Sequence, residues 1–447
     1  MPAFVSRLKQ RLLRQDFSAI ELVVLGGMLV AAAFWLSWQF VRPAPPSHIV
    51  MSTGPAGGAY QYFAERYRDA LAREGITLEL RPSTGAVENL QRLKTDPEVD
   101  LAFVQGGIID EPDSEDLASL GTQYLEPVWV FYRGTPGLER LVQLKGKRIA
   151  VGRPGSGTLL FSLQILSASG FQPNDPHLVH LGGDEAVDAL RRGRVDALLA
   201  VGAPQAPLIA RLLAEPGLQL LDFAQAEGYA RRFPHLETLR LPRATLDLAQ
   251  DRPPRDQHLL AATANLVARA DLHPAVVALL LKHSQEIHGK PGLLQGANQF
   301  PAPRDHGLPL HGAAKRFYEN GAPLLQRYLP FWLATLIDRM LVLLLPLIGV
   351  ALPLFRILPG LYRWRMESRV YRWYGELKLL EHHLEEEALP LAPALGAELL
   401  ERLSRIETEA SRRKLPLAFS KDMYTLREHI QLVRRRISGA LEPNPSK

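Results

Sequence analysis

Two apolar runs constrain this chain more than any other feature. Leu22 to Val41 contains no charged residue, and twenty such residues are long enough to cross a bilayer at about 1.5 Å per residue. The run exceeds the roughly 7 to 15 apolar residues of a signal-peptide core, and it ends in Trp35, Trp38 and Phe40 without a small-x-small cleavage site. An uncleaved anchor is expected. Residues 1–21 before it carry Arg7, Lys9, Arg11 and Arg14, a basic flank that stays on the cytoplasmic side.

The second run, residues 329–355, is apolar from Leu329 to Ile337, is interrupted by Asp338-Arg339, and continues from Met340 to Phe355 through Pro346 and Pro353. Arg356, Arg363, Arg365, Arg369 and Arg372 follow, with Trp364 and Trp373 among them. That is the pattern of an inside flank with interfacial aromatics. A buried core helix over 340–355 is the alternative, since sixteen residues is short for a span. Taken together, the flanks predict a two-pass protein of the bilayer with both termini cytoplasmic, residues 42–328 outside, and a cytoplasmic tail over 356–447.

Composition adds exclusions. The 447 residues exceed one domain, there is no cysteine for a disulfide, thiolate metal site or thiol nucleophile, and the formal charge is +5. The basic residues cluster beside the apolar runs, so they report membrane topology and not a nucleic-acid partner.

Within the outer block, strand-like and helix-like segments alternate, which predicts an α/β fold with a parallel sheet. Strands are expected at His48–Ser52, Ile76–Arg81, Leu101–Gln105, Val128–Tyr132, Arg148–Val151, Leu178–Leu181, Asp196–Val201 and Leu218–Leu221. Helices are expected at Tyr60–Glu74, Ala86–Lys94, Thr158 onward, Asp184–Arg192 and Pro204–Leu213. Two lobes fit in such a length, one over about 48–132 and 236–325, the other over about 133–235.

Glycine-bearing loops follow the strands at Thr53–Tyr60, Ser83–Ala86, Gln105–Gly107, Gly152–Thr158 and Gly202–Pro204. Ligands of open α/β sheets bind outside those carboxyl ends. In Gly152-Arg153-Pro154-Gly155-Ser156-Gly157-Thr158, glycines allow backbone N–H groups at a helix start to converge on one acceptor, an anion seat suited to a small carboxylate. No lysine follows the last glycine, so it is not a P-loop, and Gly155-Ser156-Gly157 is too short for a nucleophile elbow. Thr53, Tyr60, Thr84, Gln105, Tyr132, Ser156 and Thr158 are the polar groups available to a solute. Thr84 and Thr158 are also placed to cap helices.

In this order, Gly57-Gly58-Ala59-Tyr60, Ser83 to Leu90, Asp100 to Gln105, Leu144 to Gly152 with Gly155 to Thr158, and Gly193 to Ala197 resemble the TAXI-type solute-binding proteins, receptor subunits of some TRAP (tripartite ATP-independent periplasmic) transporters. The resemblance covers residues 48–235 well and 236–325 loosely. It implies a two-lobed periplasmic-binding-protein-like fold of type II, anchored in a bacterial inner membrane. It also implies a small organic anion as ligand, of the dicarboxylate or acidic amino acid class, delivered to separate permease subunits. The ligand shell so implied draws on Gly57, Gly58, Tyr60, Thr84, Gln105, Gly155, Ser156, Gly157 and Thr158. Where many members have Gln-x-Asp, this chain has Gln105-Gly106-Gly107, so a site carboxylate is expected to be missing.

The tail shows helical spacing over Glu367–Leu389, Glu398–Arg413 and Met423–Ile437, separated at Pro390 and Leu415-Pro416, and predicts a small helical bundle. His382-His383 among glutamates completes no metal-ligand spacing and reads as a solvated face. His283 and His288 are expected at the surface. No Ser/His/Asp order, metal set or redox motif supports an enzyme or a cofactor. A solute sensor that relays lobe closure to a cytoplasmic partner through the tail is the alternative to a transport receptor.

Overall fold

The computed structural model describes residues 19–41, 43–109, 116–304, 307–386, 391–412 and 420–441. The basic flank at Arg7 to Arg14 and the tail separators Pro390 and Leu415-Pro416 lie outside the described residues. The chain begins with α1 (Ala19–Phe40), β1 (His48–Ser52), α2 (Ala59–Arg73), β2 (Thr77–Arg81), α3 (Ala86–Thr95), β3 (Leu101–Gln105) and β4 (Leu117–Arg133) among the described residues. There follow β5 (Ile149–Ala150), α4 (Gly157–Ala168), β6 (Leu178–Val179), α5 (Gly183–Arg191), β7 (Ala197–Val201), α6 (Pro207–Ala214), β8 (Leu218–Leu220) and α7 (Ala226–Arg232). The rest comprises β9 (Glu237–Leu241), β10 (Gln257–Arg269), α8 (Pro274–His288), α9 (Gly312–Asn320), α10 (Leu324–Tyr328), α11 (Phe331–Glu386), α12 (Pro393–Arg412) and α13 (Ser420–Leu441).

The strands lie in the order β2-β1-β3-β10-β4-β7-β5-β6, with β8 added to β4 and β9 to β10. One parallel set, β1 to β3, and a second, β5 to β7, are joined through β4 and β10, which run antiparallel to their neighbours. The sheet is therefore mixed, which corrects the expectation of parallel pairing throughout. Its reason is β4: Leu117 to Pro127 pairs with β10, and from Val128 the same strand pairs with β7 and then β8. Only its second half, Val128 to Tyr132, was foreseen.

Two apolar cores flank this crossing. One contains Ile49, Phe63, Tyr67, Leu101 and Phe103, and the other contains Val130, Ile149, Phe161, Ile165 and Leu199. Each such fully buried side chain contributes about 1.5–3 kcal/mol relative to exposure. The helix α8 packs against α2, β4 and α9, which buries it on more than one face. His283 and His288 are accordingly 4 % and 2 % exposed, not surface residues as expected. Pro43 to Asp338 forms one compact unit.

In the other unit, α11 continues helically through Pro346, Pro353 and Pro359 to Glu386, well past the expected end at residue 355. Each of these interior prolines removes one backbone hydrogen bond from the helix. Its stretch Phe331–Trp364 is long and apolar enough to cross a membrane; the apolar part of α1, Val24–Phe40, is shorter. A Cβ on Gly26 would lie 3.2 Å from Leu354 Cδ2 and 3.4 Å from Leu358 Cδ1, so α1 and α11 pack against each other at a small residue. Beyond the span, Trp373, Leu377 and Leu380 of α11 share a core with Leu399, Leu403 and Ile406 of α12 and Leu426, Ile430 and Val433 of α13. This is the helical tail that the spacing predicts.

Candidate functional site

The parallel strands end toward the same gap, and the loops after β1, β2, β5, β6 and β7 each open a helix. A cavity of about 120 Å³ lies there, lined by Pro55, Ala56, Gly58, Ala59 and Tyr60 at the start of α2, Thr84 to Ala86 at α3, Ser156 to Thr158 at α4 and Gly182-Gly183 at α5. Four helix N-termini therefore face one space. Each carries about half a unit of positive charge from its unpaired N–H groups. Arg153 adds a full cation, 3.8 Å from Glu185. The opposite wall is apolar, formed by Leu198, Leu199, Val201 and Leu208.

The two parallel sets meet across this gap without spare room. A Cβ on Gly157 would collide with Gln105 Oε1 and lie 3.3 Å from the Ala86 methyl. Gly155, at φ 79°, stands against Thr84 in the same manner. Glycine at these positions permits a close approach that any side chain would block.

Of the residues singled out from the sequence, Gly58, Tyr60, Thr84, Gln105, Ser156, Gly157 and Thr158 line the cavity. Gln105 is 2 % exposed and its Oε1 has no hydrogen-bond partner. Thr53 is fully buried, and its hydroxyl donates to Gln61 over 2.7 Å; Gly57 lies just outside the lining, where its carbonyl accepts from Leu208 N. Tyr132 lies in the second core, and its hydroxyl accepts from the N–H groups of Gly137 and Leu138 at 3.0 and 3.1 Å. It does not face the gap as expected, because its strand turns that side toward the loop at 137–138.

The cap assignments also change. Ser156, not Thr158, caps α4, accepting from Leu159 N at 3.2 Å while donating to Arg153 O at 2.6 Å. Gly85 occupies the cap position of α3, and Thr84 instead gives its N–H and hydroxyl to Glu88, each over 2.7 Å. Thr158 lines the cavity.

A carboxyl group is present after all, from a segment the motifs do not include. Glu126 of β4 lines the cavity, is 4 % exposed, and accepts from the Tyr60 hydroxyl at 3.0 Å. Burial pushes this carboxyl up to about 8, against the lowering effect of the Tyr60 hydrogen bond. Tyr60 is itself raised well above its ordinary value, first by burial and then by Glu126. The signal was a single acid inside the apolar run Tyr124-Leu125-Glu126-Pro127-Val128. Among the described residues, no cluster of His, Asp and Glu is arranged to hold a metal ion.

A mixed sheet whose two parallel sets both end at one cavity defines a ligand-binding type of α/β fold, with the cavity at the carboxyl ends of its strands. The chain belongs to the NMT1-like family, whose pattern matches residues 51–321. Among solved structures it is similar to an ancestral arginine-binding protein bound to arginine, at 14 % identity, covering 54 % of this chain and 92 % of that one with a TM-score of 0.36. It is also similar to the alkanesulfonate-binding protein SsuA of Xanthomonas axonopodis pv. citri bound to MOPS, at 18 % identity over 55 % and 74 % of the two chains, TM-score 0.37. The BenM effector-binding domain with benzoate matches at 13 % identity over 54 % and 91 %, TM-score 0.35.

Proposed function

We propose that the chain is a membrane-anchored extracytoplasmic receptor for a small organic anion of the dicarboxylate or acidic amino acid class. In this reading it is of the TAXI type and hands its solute to separate permease subunits of a TRAP-type secondary transporter. The observation that carries the reading is the convergence of four helix N-termini and Arg153 on one cavity, which favours negative charge there. The ligand shell is Gly58, Tyr60, Thr84, Gln105, Ser156, Gly157 and Thr158, with binding but no catalysis and no cofactor.

The same reading makes residues 22–41 and 329–355 the two spans and 42–328 the periplasmic domain. Lobe 1 then covers about 48–132 and 236–325, lobe 2 about 133–235, and residues 356–447 are cytoplasmic together with the N-terminus. The packing of Gly26 against Leu354 and Leu358 supports paired spans, since small residues let membrane helices approach closely.

Thermal melting of the full-length protein in nanodiscs, against a panel of mono- and dicarboxylates and amino acids, tests the receptor reading. At least one anion is expected to raise Tm, as any ligand of the folded state must. A panel that shifts nothing overturns the reading. Thr158→Ala is expected to weaken binding of the responding anion about tenfold.

A sensor is the second reading, favoured by the continuity of α11 from Phe331 to Glu386, one unbroken helix whose later turns share the core of α12 and α13. Ligand-dependent hydrogen exchange in α12 and α13 would favour it over transport.

A further inference from the structure

The cavity's one buried acid sits where the sheet changes hands. Glu126 pairs with Ala262 of β10, Pro127 with Ala261, and the next residue, Val128, with Val201 of β7. Its carboxyl thus lies at the crossing of the two halves and on the wall of the shared cavity. Among the described residues its hydrogen-bond partner is the Tyr60 hydroxyl from α2, and no ion pair to it is formed. Tyr124 from β4 itself also interacts with it, whereas Arg153, from the loop before α4, lines the same cavity but is directed to Glu185. The facing residues of β7, Leu198 to Val201, and Leu208 of α6 carry no charge.

An ionised carboxylate here would have no ion-pair partner of its own, Arg153 being directed to Glu185, and would occupy the positive field of the helix ends in competition with an arriving anion. Like charges in one small cavity do not both stay ionised. A neutral acid has the opposite effect, because it adds an O–H donor to the N–H donors already present, and a hydrogen bond to a charged acceptor is among the stronger kinds. Gln105 Oε1, buried and without a partner, marks a second polar group of this cavity that protein atoms do not satisfy.

We propose that Glu126 is a specificity residue of the cavity that meets the solute as a neutral acid, donating its proton to the bound anion, so that anion and proton occupy the site together. The inference rests on the anion-receptor reading and adds the rule by which the site selects: ligands with a spare acceptor oxygen are favoured over those presenting an ammonium to this wall. Above the pH at which the empty site loses the proton, near 8, each binding event takes one up. Below it, affinity is independent of pH.

Isothermal calorimetry on the full-length protein in nanodiscs, with succinate, acetate and glutamate as probes, tests this between pH 6 and 9.5 in buffers of different ionisation enthalpy. The expected result is a Kd that is flat to about pH 7.5 and rises up to tenfold per pH unit above 8, with uptake approaching one proton. Glu126→Gln, which keeps a donor, is expected to bind within threefold of wild type and to lose the pH slope. Glu126→Ala should weaken binding tenfold or more. The wild-type proton count needs no variant, so misfolding of a mutant does not decide the matter. An affinity that rises with pH, no proton uptake at pH 9, or a pH slope unchanged in Glu126→Gln overturns the proposal while leaving the receptor reading intact. Absence of binding by all probes and by the wider carboxylate panel overturns both.

Discussion

Gly155 and Thr84 face each other across the gap so closely that a Cβ added to Gly155 would lie 2.6 Å from Thr84 Oγ1. The loop after β5 and the loop after β2 thus touch where a methyl group does not fit. Gly155 also holds φ at 79°, a conformation that costs an L-residue about 1–3 kcal/mol. Gly155→Ala is expected to lower the stability of the receptor unit by that amount and to weaken anion binding at least tenfold, as measured by melting and calorimetry. Unchanged affinity would remove the contact from the bound form.

Asn89 of α3 is fully buried and holds three chain segments at once. Its Nδ2 donates to Thr53 O at 2.6 Å and Phe103 O at 2.9 Å, while its Oδ1 accepts from the Ser52 and Ser83 hydroxyls, both at 2.7 Å. Removing the amide leaves several buried groups unpaired, and Asn89→Ala is expected to cost about 2–4 kcal/mol. Calorimetric melting checks this; a loss below about 1 kcal/mol would show that the network is dispensable.

The pH profile of stability carries the mark of Glu126. Its folded-state value, about 8, lies above that of an exposed glutamate, so its contribution is complete below about pH 4.5 and is lost as pH rises through 8. The loss is at most about 1.4 kcal/mol per pH unit. Relative to wild type, Glu126→Gln should gain in Tm steadily from pH 5 to pH 8. A constant difference across that range would show that the carboxyl is not held neutral.

His288 shapes the acid side. Burial, then Arg66, pushes its imidazole down to about 3, and its ring lies 4.5 Å from Phe63 and stacks on Tyr124 at 5.3 Å. A depressed value means that stability is complete above about pH 6.5 and is lost as pH falls toward 3. His288→Phe is expected to unfold at lower pH than wild type in acid titrations followed by near-UV circular dichroism. An unchanged acid midpoint would place the sensitive group elsewhere.

The parallel strands and their glycine loops were legible because short β-branched runs end in residues that free the backbone, and seven of the singled-out residues do line one cavity. What stayed hidden has physical causes. Ala261 to Ala264 of β10 lie in an alanine-rich stretch without strand alternation, and Gly121, Thr122 and Gln123 make the first half of β4 look like a loop; both strands are held by neighbours distant in sequence. Glu126 was missed because its role depends on those long-range pairings. His283 and His288 looked polar enough for the surface, but α8 is enclosed on more than one side.

The central strand β4 has no break between the half of it that serves one set of strands and the half that serves the other. A seam of this kind has no swivel. Any change in the angle between the two sets of strands would have to be taken up as twist along β4 and β10, and the places in that ladder where the register already shifts, between Ala264 and Val267 of β10, are the ones with slack for it.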